Sequence, residues 1–441
     1  MIENRTVRVA LLGAGSVGAQ VARLLLEQGE ELQARTGARL ELIGIAVRDP
    51  AAPRDEPLPP ELFMTDPERL ILSADIVVEL MGGLSPAREL IELALGSGAD
   101  VVTANKALIA THGVELFELA ERVGAQLTYE AAVAGAIPIV RPLRDSLAGD
   151  RVERILGIVN GTTNFILDRM HAEDDSLENA LRTATELGYA EADPTADIEG
   201  HDAQQKAAIL ASIAFHTHVP VEQVHVEGIT GIGREQVRAA RASGQVVKLL
   251  AICERATGPD GGEAVSARVH PALVPEQHPL AAVHGGNNAV FVQAAAAGSL
   301  MFYGAGAGGR ETASAVLGDL VSATRRRVSG GPGIAESLHA ELPVLGVEDV
   351  LTRYQISFEV DDEPGVLATI ARMASEHGVS IADLRQAPVE DPPLEGEDGA
   401  RATLVIGTHT ALGRSLDALV QTLSRSEVVR SPIGVLRVET A

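Results

Sequence analysis

VRVALLGAGSVGAQVARLLLE, residues 7–27, decides the fold of this chain. A short apolar run, Val7 to Leu12, leads into Gly13-x-Gly15-x-x-Gly18. Val21, Leu24 and Leu25 then recur at helical spacing. The pattern predicts a strand, a tight glycine turn and a helix. Gly13 and Gly15 permit the turn and the close approach of a pyrophosphate. Gly18 lets the helix pack on the strand. Ser16 and Val17 open the helix, whose N-terminus is a ready anion site. A glycine-rich turn without a ligand is the bland alternative; the strand–turn–helix context favours dinucleotide binding.

Working outward, a second strand is predicted at Leu40 to Val47, followed by Arg48 and Asp49. An acid at that point suits the ribose hydroxyl of NAD, and an arginine suits the extra phosphate of NADP. Arg48 favours NADP; Asp49 keeps NAD open. Two further segments, ADIVVELMGG (74–83) and ADVVTANKALIA (99–110), repeat one pattern of Ala-Asp, buried strand and turn. Helical runs at 86–95 and 112–123 alternate with them. The expected fold is α/β, a Rossmann-type doubly wound parallel sheet. Ligands lie beyond the C-terminal strand ends of such sheets, where Gly82-Gly83 and Asn105-Lys106 fall.

The net charge of −25 argues against nucleic acid and anionic membranes as partners. Any anion site must be a local exception. Aromatic residues make up 2% of the chain and tryptophan is absent, so the cores are built from Val, Leu, Ile and Ala. The single cysteine, Cys253, excludes an internal disulfide and is expected in a core. No signal peptide or spanning segment is apparent, so the expected compartment is the cytoplasm.

A second informative stretch is Gly188 to Lys206, GYAEADPTADIEGHDAQQK. It gathers Glu191, Asp193, Asp197, Glu199, Asp202 and one lysine. Asp202 and Lys206 stand four apart at the start of a helix and share a face. The apolar AAILASIAF that follows reads as a buried helix. Charge at the mouth of a buried helix has to be paired or used. Lysine is rare here: of 36 basic residues only Lys106, Lys206 and Lys248 are lysine. Lysine can yield a proton where arginine cannot, which makes the three candidates for chemistry. Chance survival, or a structural Asp202–Lys206 pair, is the alternative.

The remaining chain falls into further units. AQLTYEAAVAGAIPIV (125–140) is a poor helix and a poor strand with many carbonyls to satisfy. A bound cation or a domain-crossing turn would each explain it. RILGIVNGTTNFIL (154–167) predicts a strand, a polar turn and a helix, its Asn and Thr residues reading as caps. The segment 221–228 follows, then an expected helix at 234–242 and strands at 245–254, 263–270 and 289–297. His216 and His218 lack the acids of a convincing metal site. A second glycine loop at 304–309 feeds a helix, and 328–350 reads as a linker. From residue 351 the order βαββαβ is ferredoxin-like, with a Pro-rich acidic loop at 387–400 expected to be disordered. The expected division is 1–149 for the nucleotide, 150–327 for catalysis and dimerisation (304–327 returning to the cofactor), 328–350 as linker and 351–441 as a regulatory unit.

These motifs together resemble homoserine dehydrogenase, in its bacterial form with a C-terminal ACT domain. GAGSVG, VVTANKALIA, YEAAVAGAIPIV, GIVNGTTNFIL, GYAEADPTADIEGHDAQQKAAIL and DEPGVLATIA carry the resemblance over about Val7 to Val438. It implies interconversion of L-homoserine and L-aspartate 4-semialdehyde, with NADP(H) preferred and NAD(H) open. It implies Lys206 as general acid/base, Lys106 at the hydride-transfer centre and Asp197 as the residue that orients Lys206. Glu191 and Asp202 would hold the substrate ammonium, and Thr162 and Tyr189 would line the substrate. Gly82, Gly188 and Gly308 would contact the cofactor. A sodium ion would rest on backbone carbonyls of Glu130, Val133, Gly135 and Ile137. The resemblance further implies threonine as effector, bound near Asp361–Leu367 and Val379–Ile381, and a homo-oligomer of at least two chains. Two other readings fit the scaffold: an amino-acid dehydrogenase acting on a C–N bond, and a non-catalytic amino-acid sensor.

Overall fold

A computed structural model describes residues 5–54, 56–331, 336, 338–389 and 400–439. The chain opens with β1 (Thr6–Leu12), α1 (Ser16–Glu27), α2 (Gly29–Thr36), β2 (Arg39–Ala46) and β3 (Phe63–Met64). Then come α3 (Pro67–Ile71), β4 (Ile76–Glu79), α4 (Ala87–Gly96), β5 (Asp100–Thr103), α5 (Lys106–Val123) and β6 (Leu127–Thr128). The six strands pair in parallel in the order β3-β2-β1-β4-β5-β6, the doubly wound arrangement expected. Both faces are covered, so β1 has no polar alternation at its centre. Val9 and Leu11 enter one core, Ala10 and Leu12 another.

The second unit begins with β7 (Val152–Ile158), α6 (Gly161–Glu173), α7 (Leu177–Glu186), α8 (Thr195–Ile198) and α9 (His201–Phe215). After β8 (His225–Val226) and α10 (Arg234–Ala242) come β9 (Gln245–Thr257), β10 (Glu263–Pro275), β11 (Asn287–Ala294), β12 (Gly298–Ala305) and α11 (Gly309–Ser329). α9 packs on β9 and β10 on one side and on α5 on the other. Its apolar residues are therefore buried nearly all round, from Ala203 to Phe215. α11 lies against α1, which brings the second glycine loop back to the first.

Residues 221–228 form a 3₁₀ turn and the two-residue β8. α7 was not anticipated, because SLENALRTATE is polar on most positions and buries only Ala180 and Ala184. β12 was not anticipated either; it is an exposed edge strand, with Tyr303 57% accessible. Within 328–350, the described residues are not free-running: Val265 donates to Pro343 O and Leu345 to Val265 O, along the edge of β10.

The C-terminal elements are β13 (Leu351–Thr352), β14 (Tyr354–Asp361), α12 (Val366–Glu376), β15 (Ile381–Pro388), β16 (Arg401–Thr408), β17 (Ala411–Leu412), α13 (Gly413–Ser424) and β18 (Gly434–Val438). The strand order β18-β14-β16-β15 is ferredoxin-like. This sheet is continuous with the second one, since β18 pairs with β10 at Ala272↔Arg437 and Leu273↔Val438. Most of the acidic loop expected at 387–400 lies outside the described residues. Among the described residues no helix is long and apolar enough to cross a membrane.

Candidate active site

Two helix starts and one polar turn build the centre. Asn105 caps α5, its Oδ1 accepting from Leu108 N at 3.2 Å, and this fixes Lys106 as the first residue of the helix. Gly200, at φ +84°, turns the chain into α9, so that Asp202 and Lys206 follow one above the other. Because α5 packs on α9, both lysines reach the same carboxylate. Lys206 Nζ lies 2.7 Å from Asp202 Oδ2 and Lys106 Nζ lies 3.0 Å from Asp202 Oδ1.

Asn160, the cap of α6, does more than cap. Its Oδ1 accepts from Thr163 N at 2.9 Å. Its Nδ2 donates to Asp202 Oδ2 at 2.9 Å and to Asp197 Oδ1 at 2.7 Å. Lys206 completes its fixation by donating to Val159 O at 2.7 Å, at the end of β7. An ammonium carries three N–H bonds; two are taken here, and one is left for a ligand. Burial alone would push the Asp202 carboxyl up, but Lys206, Lys106 and the Asn160 amide outweigh that and hold it well below the usual carboxylate range. The centre is thus an ionised carboxylate clamped between two ammonium groups.

The other expected substrate residues are partly gathered. Thr162 donates from its hydroxyl to Tyr189 O at 2.7 Å. The Tyr189 ring stacks on Phe165 at 4.6 Å and lies against Gly286, where a Cβ would strike it. Glu191 stands exposed, with no hydrogen bond or ion pair among the described residues. Asp197 makes no hydrogen bond or ion pair with Lys206 among the described residues: its Oδ1 accepts from Asn160, while Asp202 and the Val159 carbonyl hold the Lys206 ammonium. The sequence reading missed this because the Asn160–Asp202 link spans 42 residues and the Asn looked like a simple cap.

The expected cofactor residues of the first unit lie along one edge of its sheet. Gly13 adopts φ +98°, and a Cβ there would sit 2.8 Å from Leu80 O. A Cβ on Gly18 would strike Gly13 O, whereas one on Gly15 would meet nothing. No side chain caps α1, which begins at Ser16 and Val17, and none caps α11, whose N-cap is Gly308 at φ +130°. A Cβ on Gly309 would lie 2.9 Å from Ser16 O, so the two uncapped helix starts adjoin. That cradle suits a pyrophosphate. Arg48 is exposed and has no partner among the described residues. Gly188, at φ +79°, ends α7 beside Tyr189, and no described contact ties it to the glycine turn.

Glu79 is an unanticipated member of this edge. It is fully buried, yet its Oε1 accepts from Met81 N at 2.7 Å and Gly82 N at 3.1 Å, and its Oε2 from the Thr103 hydroxyl at 2.6 Å. Asn105 Nδ2 adds a bond to Gly83 O at 2.6 Å. The Gly82-Gly83 turn is therefore held from both sides, next to Lys106. The lone acid inside the apolar run IVVEL was the available signal.

The 130–137 segment meets the donor chemistry of a hard cation. The Glu130 carboxylate is taken by the N–H groups of Ile139, Val140 and Arg141 at 2.6, 2.9 and 2.8 Å, which leaves only its carbonyl to a metal. Among the described residues no hydrogen bond falls on the carbonyls of Val133, Gly135 or Ile137. Ala134 and Gly135 have φ of +58° and +57°, a turn that directs successive carbonyls. Oxygen-only donors of this kind fit sodium or another hard cation. Behind them Asp319 accepts from Glu130 N at 2.8 Å. Burial raises the Asp319 carboxyl to about 6, against the pull of that N–H and of Arg141.

Known proteins with this architecture were compared with the chain. A family profile described as "Homoserine dehydrogenase" matches residues 138–321, and one described as "Homoserine dehydrogenase, NAD binding domain" matches 13–130. The homoserine dehydrogenase of Corynebacterium glutamicum is 51% identical over 435 residues, covering 98% of this chain and 96% of its own. The crystal structure of a homoserine dehydrogenase from Thiobacillus denitrificans superposes with a TM-score of 0.88 at 37% identity, covering 99% of this chain and 98% of that one. A hyperthermophilic archaeal homoserine dehydrogenase mutant, solved in complex with NADPH, matches 72% of this chain and 98% of its own, at 29% identity and a TM-score of 0.59.

Proposed function

The chain belongs to the homoserine dehydrogenase family, and from that premise we propose how its own residues divide the work. It is an NAD(P)-dependent oxidoreductase that interconverts L-homoserine and L-aspartate 4-semialdehyde. The readings as a C–N dehydrogenase or a non-catalytic sensor lose their ground to relatives 51% identical along the whole chain. When bound, the nicotinamide supplies or accepts the hydride. Lys206 gives the proton to the aldehyde oxygen in reduction and takes it from the alcohol in oxidation. Its third N–H, not used by Val159 or Asp202, is the one that reaches the substrate. Asp202 stays ionised throughout and holds Lys206 and Lys106 at a fixed spacing. Glu191, without a hydrogen bond or ion pair among the described residues, takes the substrate ammonium, with the remaining lone pair of Asp202 beside it. Thr162 and Tyr189 bound the substrate, and Asp197 acts through Asn160.

The cofactor is NADPH in preference to NADH, with Arg48 on the extra phosphate and the Gly13–Gly18 turn, Gly82, Gly188 and Gly308 around the dinucleotide. The NADPH complex of the archaeal relative supports this choice. Sodium is held by the carbonyls of Glu130, Val133, Gly135 and Ile137. Residues 1–149 bind the nucleotide, 150–327 catalyse and dimerise, 328–350 connect, and 351–441 form an ACT-type unit that takes threonine near Asp361–Leu367 and Val379–Ile381. The ferredoxin-like strand order of that unit supports the last point. A single buried cysteine supports a cytoplasmic setting.

The single observation that carries the reading is the Lys106–Asp202–Lys206 clamp. Initial rates with homoserine and with aspartate, each with NADPH and NADH and with or without threonine, test it. Activity on homoserine, faster with the phosphorylated cofactor and reduced by threonine, is expected. Activity on aspartate alone would overturn the assignment, and indifference to threonine would overturn the regulatory part alone.

A further inference from the structure

The third lysine is not part of the catalytic centre, and the fold has buried it. Lys248, in β9, is 2% exposed. Its Nζ donates to Asn164 Oδ1 at 2.9 Å and to Val283 O at 2.6 Å. A third N–H has no partner among the described residues. A methionine would fill the same volume without the cost of burying an ammonium, which is several kcal/mol in order of magnitude. The lysine lines a cavity of about 290 Å³, together with Asp168, His171, Glu276, Ala282 and His284.

That cavity is lined by groups of both signs. Lys248 forms its buried wall, with His171, whose Nδ1 is buried with no partner among the described residues. Two acids also line it. Asp168 accepts from His284 Nδ1 at 2.8 Å and Gly285 N at 2.9 Å. Glu276 is exposed and its carboxylate has no partner among the described residues. A plain anion entering here would meet Glu276 and Asp168; a plain cation would meet Lys248. A small molecule with both charges satisfies each at once. The volume sits at the low end for ligand pockets.

We infer that this cavity is a second ligand site, which takes a small α-amino acid with its carboxylate on Lys248 and His171 and its ammonium on Glu276 and Asp168. The site reports to the catalytic centre along one helix. Asn164, held by Lys248, also donates to Val283 O, Gly285 O and Asn287 O at 3.2, 2.8 and 3.2 Å. It therefore pins α6 to the 283–287 loop. That loop brings Gly286 O to 2.6 Å from where a Gly161 Cβ would lie, and Gly286 against the Tyr189 ring. α6 starts at Asn160, which grips Asp202. Occupancy of the cavity is thus expected to move the KM for homoserine. The binding claim is independent of the roles proposed above; only the KM effect rests on them.

The test uses the full-length protein. Each standard amino acid is screened by thermal shift at millimolar concentration, and binders are measured by calorimetry on wild type, Glu276→Gln and Ala282→Phe. Glu276 and Ala282 are exposed, so neither change disturbs the core. At least one amino acid is expected to bind, with Kd weakened about ten-fold or more in both variants and its effect on homoserine KM lost. A screen in which every binder keeps its affinity in either variant, as a ligand of the Asp361–Leu367 turn would, places the sites elsewhere and overturns the inference. So does a screen in which no standard amino acid binds. Binding that is lost in both variants but never alters KM keeps the site and overturns the link to α6.

Discussion

At the scale of single residues, the centre depends on one amide as much as on its lysines. Asn160 is the only described side-chain amide that touches both Asp197 and Asp202. Truncating it leaves two carboxylates short of a donor and frees the Asp202–Lys206 pair to shift. A hydrogen bond to a charged group contributes about 1.5–3 kcal/mol, so Asn160→Ala should lower kcat/KM roughly 10- to 100-fold. Steady-state rates on folded protein check this. A loss smaller than about three-fold would mean that Asp202 is held without the amide. The low Asp202 pKa has a consequence for stability. Its folded value lies below its unfolded one, so the stabilisation is present above the unfolded carboxylate value and is lost only as pH falls through the folded one. The Asp202 carboxylate therefore stays charged across the neutral range.

At the scale of elements, Lys248 ties β9 to α6, and its titration should be visible in the unfolding of the protein. Burial lowers its ammonium from 10.5 to about 8. Between those values the unfolded chain binds a proton that the folded chain does not, so stability rises with pH through that window, by at most about 3 kcal/mol. Urea unfolding of wild type and Lys248→Met at a series of pH values from about 7.5 to 10 checks it. The wild-type curve should gain on the variant as pH rises; a pH-independent difference would contradict the assignment. The same element shows what a sequence displays and what it conceals. Gly13–Gly18, Asn105-Lys106 and Asp202–Lys206 were legible because each is a local pattern with one physical use. The first sheet followed from them. Asn160 to Asp202, Glu79 to Thr103, and Lys248 to Asn164 were not legible, since each joins distant segments and only the packing of α6, α9 and the sheets sets them opposite. α7 and β12 escaped for a different reason: both lie at the surface and bury few side chains, α7 only Ala180 and Ala184 and β12 none fully.

At the scale of the molecule, two large sheets carry most of the fold, and the C-terminal unit is stitched to the second unit by charge as well as by strand pairing. Arg437 donates to Glu227 at 2.7 Å. Arg268, 2% exposed, pairs with Glu254 at 2.7 Å and reaches Glu439 at 3.6 Å, and Arg154 also pairs with Glu439. Removing a partner from a buried guanidinium is destabilising even when the intact pair adds little. Glu439→Gln should therefore cost about 1–3 kcal/mol and speed hydrogen exchange in β18 while leaving Gly188–Lys206 protected. Uniform deprotection of both regions would mean that the molecule unfolds as one block. This seam joins the C-terminal unit to β10, on which α9 packs.

The most direct measurement concerns Lys206. Turnover of homoserine and binding of NADPH should be measured side by side for wild type, Lys206→Ala and Lys206→Arg. Nearly complete loss of turnover in both variants with nucleotide affinity retained is the result predicted, since arginine keeps the charge but yields no proton. A near-wild-type rate in Lys206→Ala would contradict the assignment of the proton transfer to this lysine.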